Sequence, residues 1–180
     1  MIGKSPWEDF LSDIFDDDDT PTIVKFDKMI KKKLTNEIKS VFGETIEPEI
    51  GSVLFCSLAT MAEHTGIYVG DDEVVHLNGD GIIEKVSFDE FVDRLDGWNK
   101  TLAINCPVDW THEPIGDPKV AQRALSLVGK HRNYNLLSDN CHKFTYYCLT
   151  GKKLPIVMFQ TIEAELKKKY AFRGWEPISW

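Results

Sequence analysis

The spacing of apolar residues changes near residue 48 and divides the chain into three segments. Between residues 22 and 42 apolar side chains recur at helical spacing, which predicts one long helix or two short ones. Gly43 and Pro48 end that pattern, and runs of β-branched and aromatic residues follow Gly51. We therefore expect an N-terminal helical and acidic extension over 1–47, a domain over 48–153, and a C-terminal extension over 154–180. The aromatic residues of the last segment are expected to pack back onto the domain.

Strand and helix signals alternate within the predicted domain. Strand-forming residues occupy 52–58, 66–69, 73–77, 81–86 and 101–105. Ser87 and Glu90 fit a capping box that starts a short helix. Asp117 followed by Pro118 opens a second helix that stops at Gly129. Its predicted buried face is Val120, Ala121, Ala124, Leu125 and Val128.

A third helix is predicted from about residue 138 to 151. Its inward stripe is Cys141, Phe144, Thr145 and Cys148. The order of these elements predicts an α+β fold, in which an antiparallel sheet packs against the helix that carries Cys141.

Two histidines stand on the strands of a predicted hairpin, and the loop length decides whether they share a face. A two-residue loop would place His64 and His76 on opposite faces of the sheet, because side chains alternate along a strand. A three-residue loop over 70–72 pairs Gly66 with His76 and brings both histidines to one face, ~7 Å apart at the backbone. We predict the three-residue loop, with Gly66 leaving space for a third group between the rings. On the pattern alone, two unrelated strand histidines are the simpler interpretation.

Composition and charge narrow the class of protein. The chain has 180 residues and is 42% hydrophobic, which suffices for one core. A net charge of −8 argues against a nucleic-acid partner. No run approaches the ~20 apolar residues of a membrane helix, so no stable membrane insertion is expected. The N-terminus carries no secretory signal pattern, so the expected location is cytoplasmic, with signal-free secretion left open. Lysine runs at 31–33 and 167–169 fit solvated helix faces.

Cys141 has the setting of a nucleophile. Of the four cysteines none forms a CxxC pair, and reduced thiols are expected in this compartment. A cysteine in the first turn of a helix lies at the positive end of the helix dipole, which favours the thiolate. The N–H groups of that turn lack helical partners and can stabilise an oxyanion. The alternative is a cysteine that fills the core. Cys148 fits that structural role better, as do Cys56 and Cys106 in their apolar strands.

Three motifs occur in order along the chain. They are His64-Thr65-Gly66-Ile67-Tyr68-Val69-Gly70-Asp71, then Val74-Val75-His76-Leu77, then Asn140-Cys141 with Phe144. Together they resemble the lecithin:retinol acyltransferase-like branch of the NlpC/P60 superfamily. The resemblance covers about residues 48–151. It implies a permuted papain-like domain in which Cys141 attacks a carbonyl carbon, His64 takes the thiol proton and His76 orients His64. It further implies an acyl hydrolase or acyltransferase that forms a thioester on Cys141, acts on lipid or other acyl esters and uses no cofactor.

Two departures from the family pattern and three alternatives stay open at this point. His142 stands where relatives often carry an acidic residue, and residues 154–180 are too charged for the apolar anchor of the animal enzymes. The same triad also serves cysteine amidases and peptidases on peptide, isopeptide or cell-wall substrates. A catalytically silent binding module of the same fold is a further interpretation. An open metal site built from Cys141, His64 and His76 ranks last, since only three ligands are in view.

Overall fold

The computed structural model describes residues 45–58, 62–92, 103–132 and 140–180. The helices predicted over 22–42 and most of the N-terminal extension lie outside these residues. The described chain forms six strands and four helices. In chain order they are β1 (Val53–Leu58), β2 (Ala62–Gly70), β3 (Glu73–Leu77), β4 (Ile83–Ser87), α1 (Phe88–Val92), β5 (Ile104–Asp109), α2 (Pro118–Leu125), α3 (Cys141–Thr150), α4 (Phe159–Lys169) and β6 (Phe172–Pro177).

The strands make a single antiparallel sheet in the order β4-β3-β2-β1-β5-β6. The two strands that carry the histidines, β2 and β3, are neighbours and each is paired on both edges. The prediction of an α+β fold with an antiparallel sheet is therefore confirmed. The strand predicted over 101–105 begins later, at Ile104.

Both faces of the sheet are covered, and the alternation of side chains gives each face its own core. One face buries Ile67 and Val75 against Phe144 of α3. The other buries Val74 against Phe91 of α1. Successive residues of β2 and β3 thus point into different surroundings, one built from α2, α3 and α4 and one from α1.

The hairpin turn differs from its prediction. It has two residues, Asp71 and Asp72, both in the left-handed region with φ of 53° and 58°. Such a turn matches the twist of the flanking strands, and aspartate tolerates positive φ better than most residues. Gly70 pairs directly with Glu73, so the expected three-residue loop is wrong.

A bulge in β2 nevertheless restores the predicted histidine register. The pairing shifts between Tyr68 and Gly70, so that β2 has one residue more than β3 beside the turn. As a result Gly66 pairs with His76, as predicted. The bulge therefore produces the histidine register that a three-residue loop was predicted to give.

Helix α2 begins as predicted and ends early. The Asp117 carboxylate accepts the N–H of Lys119 at 2.9 Å and caps the helix. The helix ends at Leu125 instead of continuing to Gly129. Leu125 and Val128 were expected in the core, and they are 45% and 42% exposed. Leu125 lies at the margin of the apolar stripe, and the helical spacing no longer applies at Val128.

The C-terminal segment adds a strand that the sequence pattern did not predict. Strand β6 pairs with β5 at the edge of the sheet. Trp175 of β6 packs edge-on against Phe55 of β1, with ring centroids 4.8 Å apart, and stacks on Phe159 of α4 at 5.4 Å. The expectation that aromatic residues of this segment pack back onto the domain holds for Trp175.

Candidate active site

His64 and His76 form a buried pair on β2 and β3. Their side chains are on the same face because Gly66 pairs with His76. His64 Nε2 lies 3.1 Å from His76 Nδ1, a hydrogen-bonding distance. His64 is 4% exposed and His76 is fully buried. The predicted convergence of the two imidazoles is confirmed.

Phe91 of α1 packs on both imidazoles. Its ring centroid lies 5.1 Å from that of His64 and 5.7 Å from that of His76. A Cβ at Gly66 would lie 2.5 Å from Val74 Cγ1 and 3.0 Å from Phe91 Cε2. The space that Gly66 leaves is therefore occupied by these apolar side chains, which exclude water from that side of the pair.

Glu84 of β4 contacts His76 at the ring nitrogen that does not face His64. It is the direct cross-strand partner of His76, and its Oε1 lies 3.3 Å from His76 Nε2. Asn78 donates a hydrogen bond from Nδ2 to the same oxygen at 2.9 Å. Neither residue was predicted from the sequence. A strand was predicted over 81–86, but its register against β3 was not, and it is this register that places Glu84 opposite His76.

Cys141 is the first residue of α3. The side chain of Asn140 caps the helix and accepts the N–H of Lys143 at 3.0 Å. Cys141 is 5% exposed, and its Sγ lies 4.0 Å from the carbonyl oxygen of Glu63. Glu63 directly precedes His64, so the thiol lies beside the first residues of β2.

His142 also contacts the thiol. Its Nδ1 lies 3.9 Å from Cys141 Sγ and 3.2 Å from Thr65 Oγ1. Thr145 donates to Thr65 Oγ1 at 3.0 Å, which completes a polar contact between α3 and β2. Burial lowers the pKa of His142, and the nearby Glu63 carboxylate opposes that shift. His142 is therefore a neutral imidazole near pH 7.

Strand β2 sends adjacent side chains to opposite sides at this point. Thr65 contacts α3, whereas His64 contacts Phe91 of α1 and His76 of β3. The contacts of Cys141 include the Glu63 backbone and His142. The thiol therefore lies beside the backbone that directly precedes His64, and His64 itself is hydrogen-bonded to His76.

The remaining cysteines lie in the core, as predicted. Cys56, Cys106 and Cys148 are fully buried, and all four cysteines are free thiols. Burial raises the pKa of Cys106 and of Cys148 to about 12. These two thiols are therefore protonated at neutral pH, which suits a packing role.

Comparison with known proteins identifies the family. The profile described as lecithin retinol acyltransferase matches residues 46–154, more than half of the chain, and that span contains the histidine pair and Cys141. The chain belongs to the lecithin retinol acyltransferase family. Within the residues that the structure describes, this family member has no helix long and apolar enough to cross a membrane.

Two relatives show how far the similarity extends. The chain is 29% identical over 119 residues to human phospholipase A and acyltransferase 2, which covers 58% of this chain and 72% of the relative. It is 32% identical over 94 residues to mouse phospholipase A and acyltransferase 5, which covers 46% of this chain and 34% of the relative. The match to the mouse protein thus spans about a third of that relative's length.

Proposed function

We propose that this family member is a cysteine-dependent acyl hydrolase or acyltransferase that forms a thioester on Cys141. The observation that carries the proposal is the buried, hydrogen-bonded pair of His64 and His76 next to a strand segment that Cys141 contacts. A thiol at a helix N-terminus and an oriented imidazole base are the two requirements of nucleophilic cysteine catalysis.

In the proposed reaction, His64 accepts the proton of Cys141, and the thiolate sulfur attacks the ester carbonyl carbon. The C–O bond of the ester then breaks, the acyl group stays on Sγ, and the leaving alkoxide takes the proton from His64. Water or an acceptor nucleophile next attacks the thioester carbonyl carbon while His64 accepts its proton. The C–S bond then breaks, and the Cys141 thiolate takes that proton back from His64. First-turn N–H groups of α3 would stabilise the oxyanion of each tetrahedral intermediate. His76 would keep the His64 ring oriented.

The relatives support lipid esters as the substrate class. Both are named phospholipase A and acyltransferase, and the human protein is matched over 72% of its length. We therefore propose a glycerophospholipid as the acyl donor, with water or a second lipid nucleophile as the acceptor.

His142 is a second candidate for the base. Its Nδ1 lies 3.9 Å from Cys141 Sγ, and its lowered pKa keeps it unprotonated near pH 7. We assign the base to His64 instead, because His76 orients it. In the His142→Gln variant we expect more than a tenth of the wild-type activity to remain. Loss of all activity in His142→Gln, with activity kept in His64→Ala, would transfer the role of the base to His142.

The experiment that tests the proposal measures the release of fatty acid and the transfer of acyl groups in phosphatidylcholine vesicles. His64→Ala and Cys141→Ala should each abolish turnover, and His76→Ala should reduce it partially, because water can replace part of an orienting contact. Cys148→Ala is the matched control, since the same change on the same helix leaves the site intact, and most activity should remain. Full activity in Cys141→Ala would exclude the proposed mechanism.

A further inference from the structure

We infer that Glu84, held by Asn78, is a positioning residue that fixes the tautomers of the histidine pair and makes Nδ1 of His64 the basic nitrogen. The inference rests on the proposed role of His64 as the base. It adds to the site a carboxylate from β4 and an amide from the β3–β4 connection.

Glu84 determines which nitrogen of His76 carries the proton. Glu84 Oε1 lies 3.3 Å from that nitrogen, and an ionised carboxylate can only accept hydrogen bonds. A neutral His76 therefore carries its proton on Nε2. The opposite tautomer would place a nitrogen lone pair of the fully buried His76 against the carboxylate oxygen.

The tautomer of His76 determines the tautomer of His64. A neutral imidazole has one donor and one acceptor nitrogen, so Nδ1 of His76 is an acceptor. His64 Nε2, 3.1 Å away, must then donate. The lone pair of neutral His64 consequently lies on Nδ1, and this is the nitrogen that would take the proton of Cys141. The negative charge of Glu84 would also stabilise the imidazolium that forms on His64, acting through His76.

The Glu84 carboxylate is held in position by a hydrogen-bonded amide. Asn78 Oδ1 accepts the backbone N–H groups of Asp80 and Ile82 at 3.0 and 2.9 Å. These two bonds fix the orientation of the amide and direct Nδ2 to Glu84 Oε1, 2.9 Å away. Glu84 is 39% exposed at its side chain, so a free glutamate here would sample several rotamers. Asn78 holds the carboxylate next to His76.

The test combines a tautomer measurement with kinetics. Long-range ¹H–¹⁵N spectra of the resting protein, labelled at histidine nitrogen, report which nitrogen of His64 and His76 carries the proton. In the wild type both rings should be protonated at Nε2. Glu84→Ala should give a mixture of tautomers at His76, and kcat should fall about 10- to 100-fold, the range for outer-shell partners of histidine in metal sites, with little change in KM.

Two further variants separate positioning from a merely structural role. Glu84→Gln retains an oxygen acceptor but loses the charge, so it should restore part of kcat and move the acidic limb of the kcat/KM profile to lower pH. Glu73→Gln is the matched control, since it removes one carboxylate from the adjacent strand, where its partner is Lys85. It should leave the tautomers, kcat and the pH profile unchanged.

A resting wild-type protein with the His64 proton on Nδ1, or a Glu84→Ala variant indistinguishable from Glu73→Gln, would overturn the inference. Because the spectra require no turnover, they decide the inference separately from the proposed function. An inactive wild-type protein with both protons on Nε2 would contradict the enzymatic role, while the tautomer assignment to Glu84 would stand.

Discussion

At the residue scale, the surroundings of each thiol determine which cysteine can react. Cys106 and Cys148 are enclosed by apolar side chains, and burial raises the pKa of each to about 12. Cys141 lies at the start of a helix, next to polar groups of β2 and to His142. The difference is one of position in the fold, since all four thiols are chemically identical.

We therefore expect iodoacetamide at pH 8 to alkylate Cys141 before any other cysteine of the folded protein. A thiol with a pKa of about 12 is ionised in only about one molecule in ten thousand at this pH. Peptide mapping after brief labelling gives the order of reaction, and labelling in urea should reach all four thiols. Earlier labelling of Cys106 or Cys148 in the folded state would contradict the assignment.

His142 should make the folded protein less stable in mild acid. Burial lowers its pKa in the native state, so below the ordinary histidine pKa of about 6.5 the unfolded chain binds more protons than the native one. The native state therefore loses stability as the pH falls through 6.5 toward the lowered pKa. Urea titrations between pH 7.5 and 5 should show a smaller loss for His142→Gln than for the wild type. An equal loss would mean that His142 has an ordinary pKa.

At the element scale, the site depends on how β2 and β3 pair. The histidine register was predictable from the spacing of Gly66, His64 and His76, but the means of achieving it was not. A loop of three residues and a two-residue turn with a bulge produce the same register. Local sequence did not distinguish them, because Gly70 and the two aspartates suit either turn.

Other elements show what the local sequence pattern predicts correctly and what it misses. The capping box of α1 is present as predicted, with Ser87 and Glu90 bonded reciprocally through side chain and backbone. The early end of α2 and the strand β6 were missed, because both depend on hydrogen bonds to residues distant in sequence. Gly129 bonds to Ile83 after α2, and β6 pairs with β5. Glu84 was missed for the same reason: only the β3–β4 register places it opposite His76.

Gly66→Ala should destabilise the domain by about 1–3 kcal/mol, the usual cost of overpacking a core. The added Cβ would lie 2.5 Å from Val74 Cγ1 and 3.0 Å from Phe91 Cε2, so both side chains must shift. Phe91 packs on both histidines, so the shift reaches the pair. Urea unfolding gives the free energy, and Gly79→Ala is the control, since its Cβ would meet nothing within 4 Å. Equal stability of the two variants would show that the packing around the pair is loose.

At the scale of the whole molecule, the family match ends before the structure does. The match covers residues 46–154, yet β6 continues the sheet beyond that limit. Ile178 is 2% exposed, and its N–H bonds to the carbonyl oxygen of Ile104 at 2.9 Å. The segment after β6 therefore contributes to the same core that contains Val74 and Phe91.

Ile178→Ala should lower the free energy of unfolding by about 2–4 kcal/mol, as expected for truncation of a buried aliphatic side chain. Ile156→Ala is the matched control. Ile156 is 64% exposed, so the same change there should alter stability by less than about 0.5 kcal/mol. Thermal and urea unfolding measure both. Equal stabilities would show that the C-terminal segment is not part of the core.

The central claim is a thioester on Cys141, and mass spectrometry of the protein under turnover tests it most directly. The protein is incubated with an activated acyl ester or a glycerophospholipid, quenched in acid, and analysed intact and after digestion, with and without hydroxylamine. We predict one acyl group on the peptide that contains Cys141, removed by hydroxylamine and absent in His64→Ala. Turnover without such an adduct in any rapidly quenched sample, or with the acyl group on another residue, would contradict the proposed mechanism.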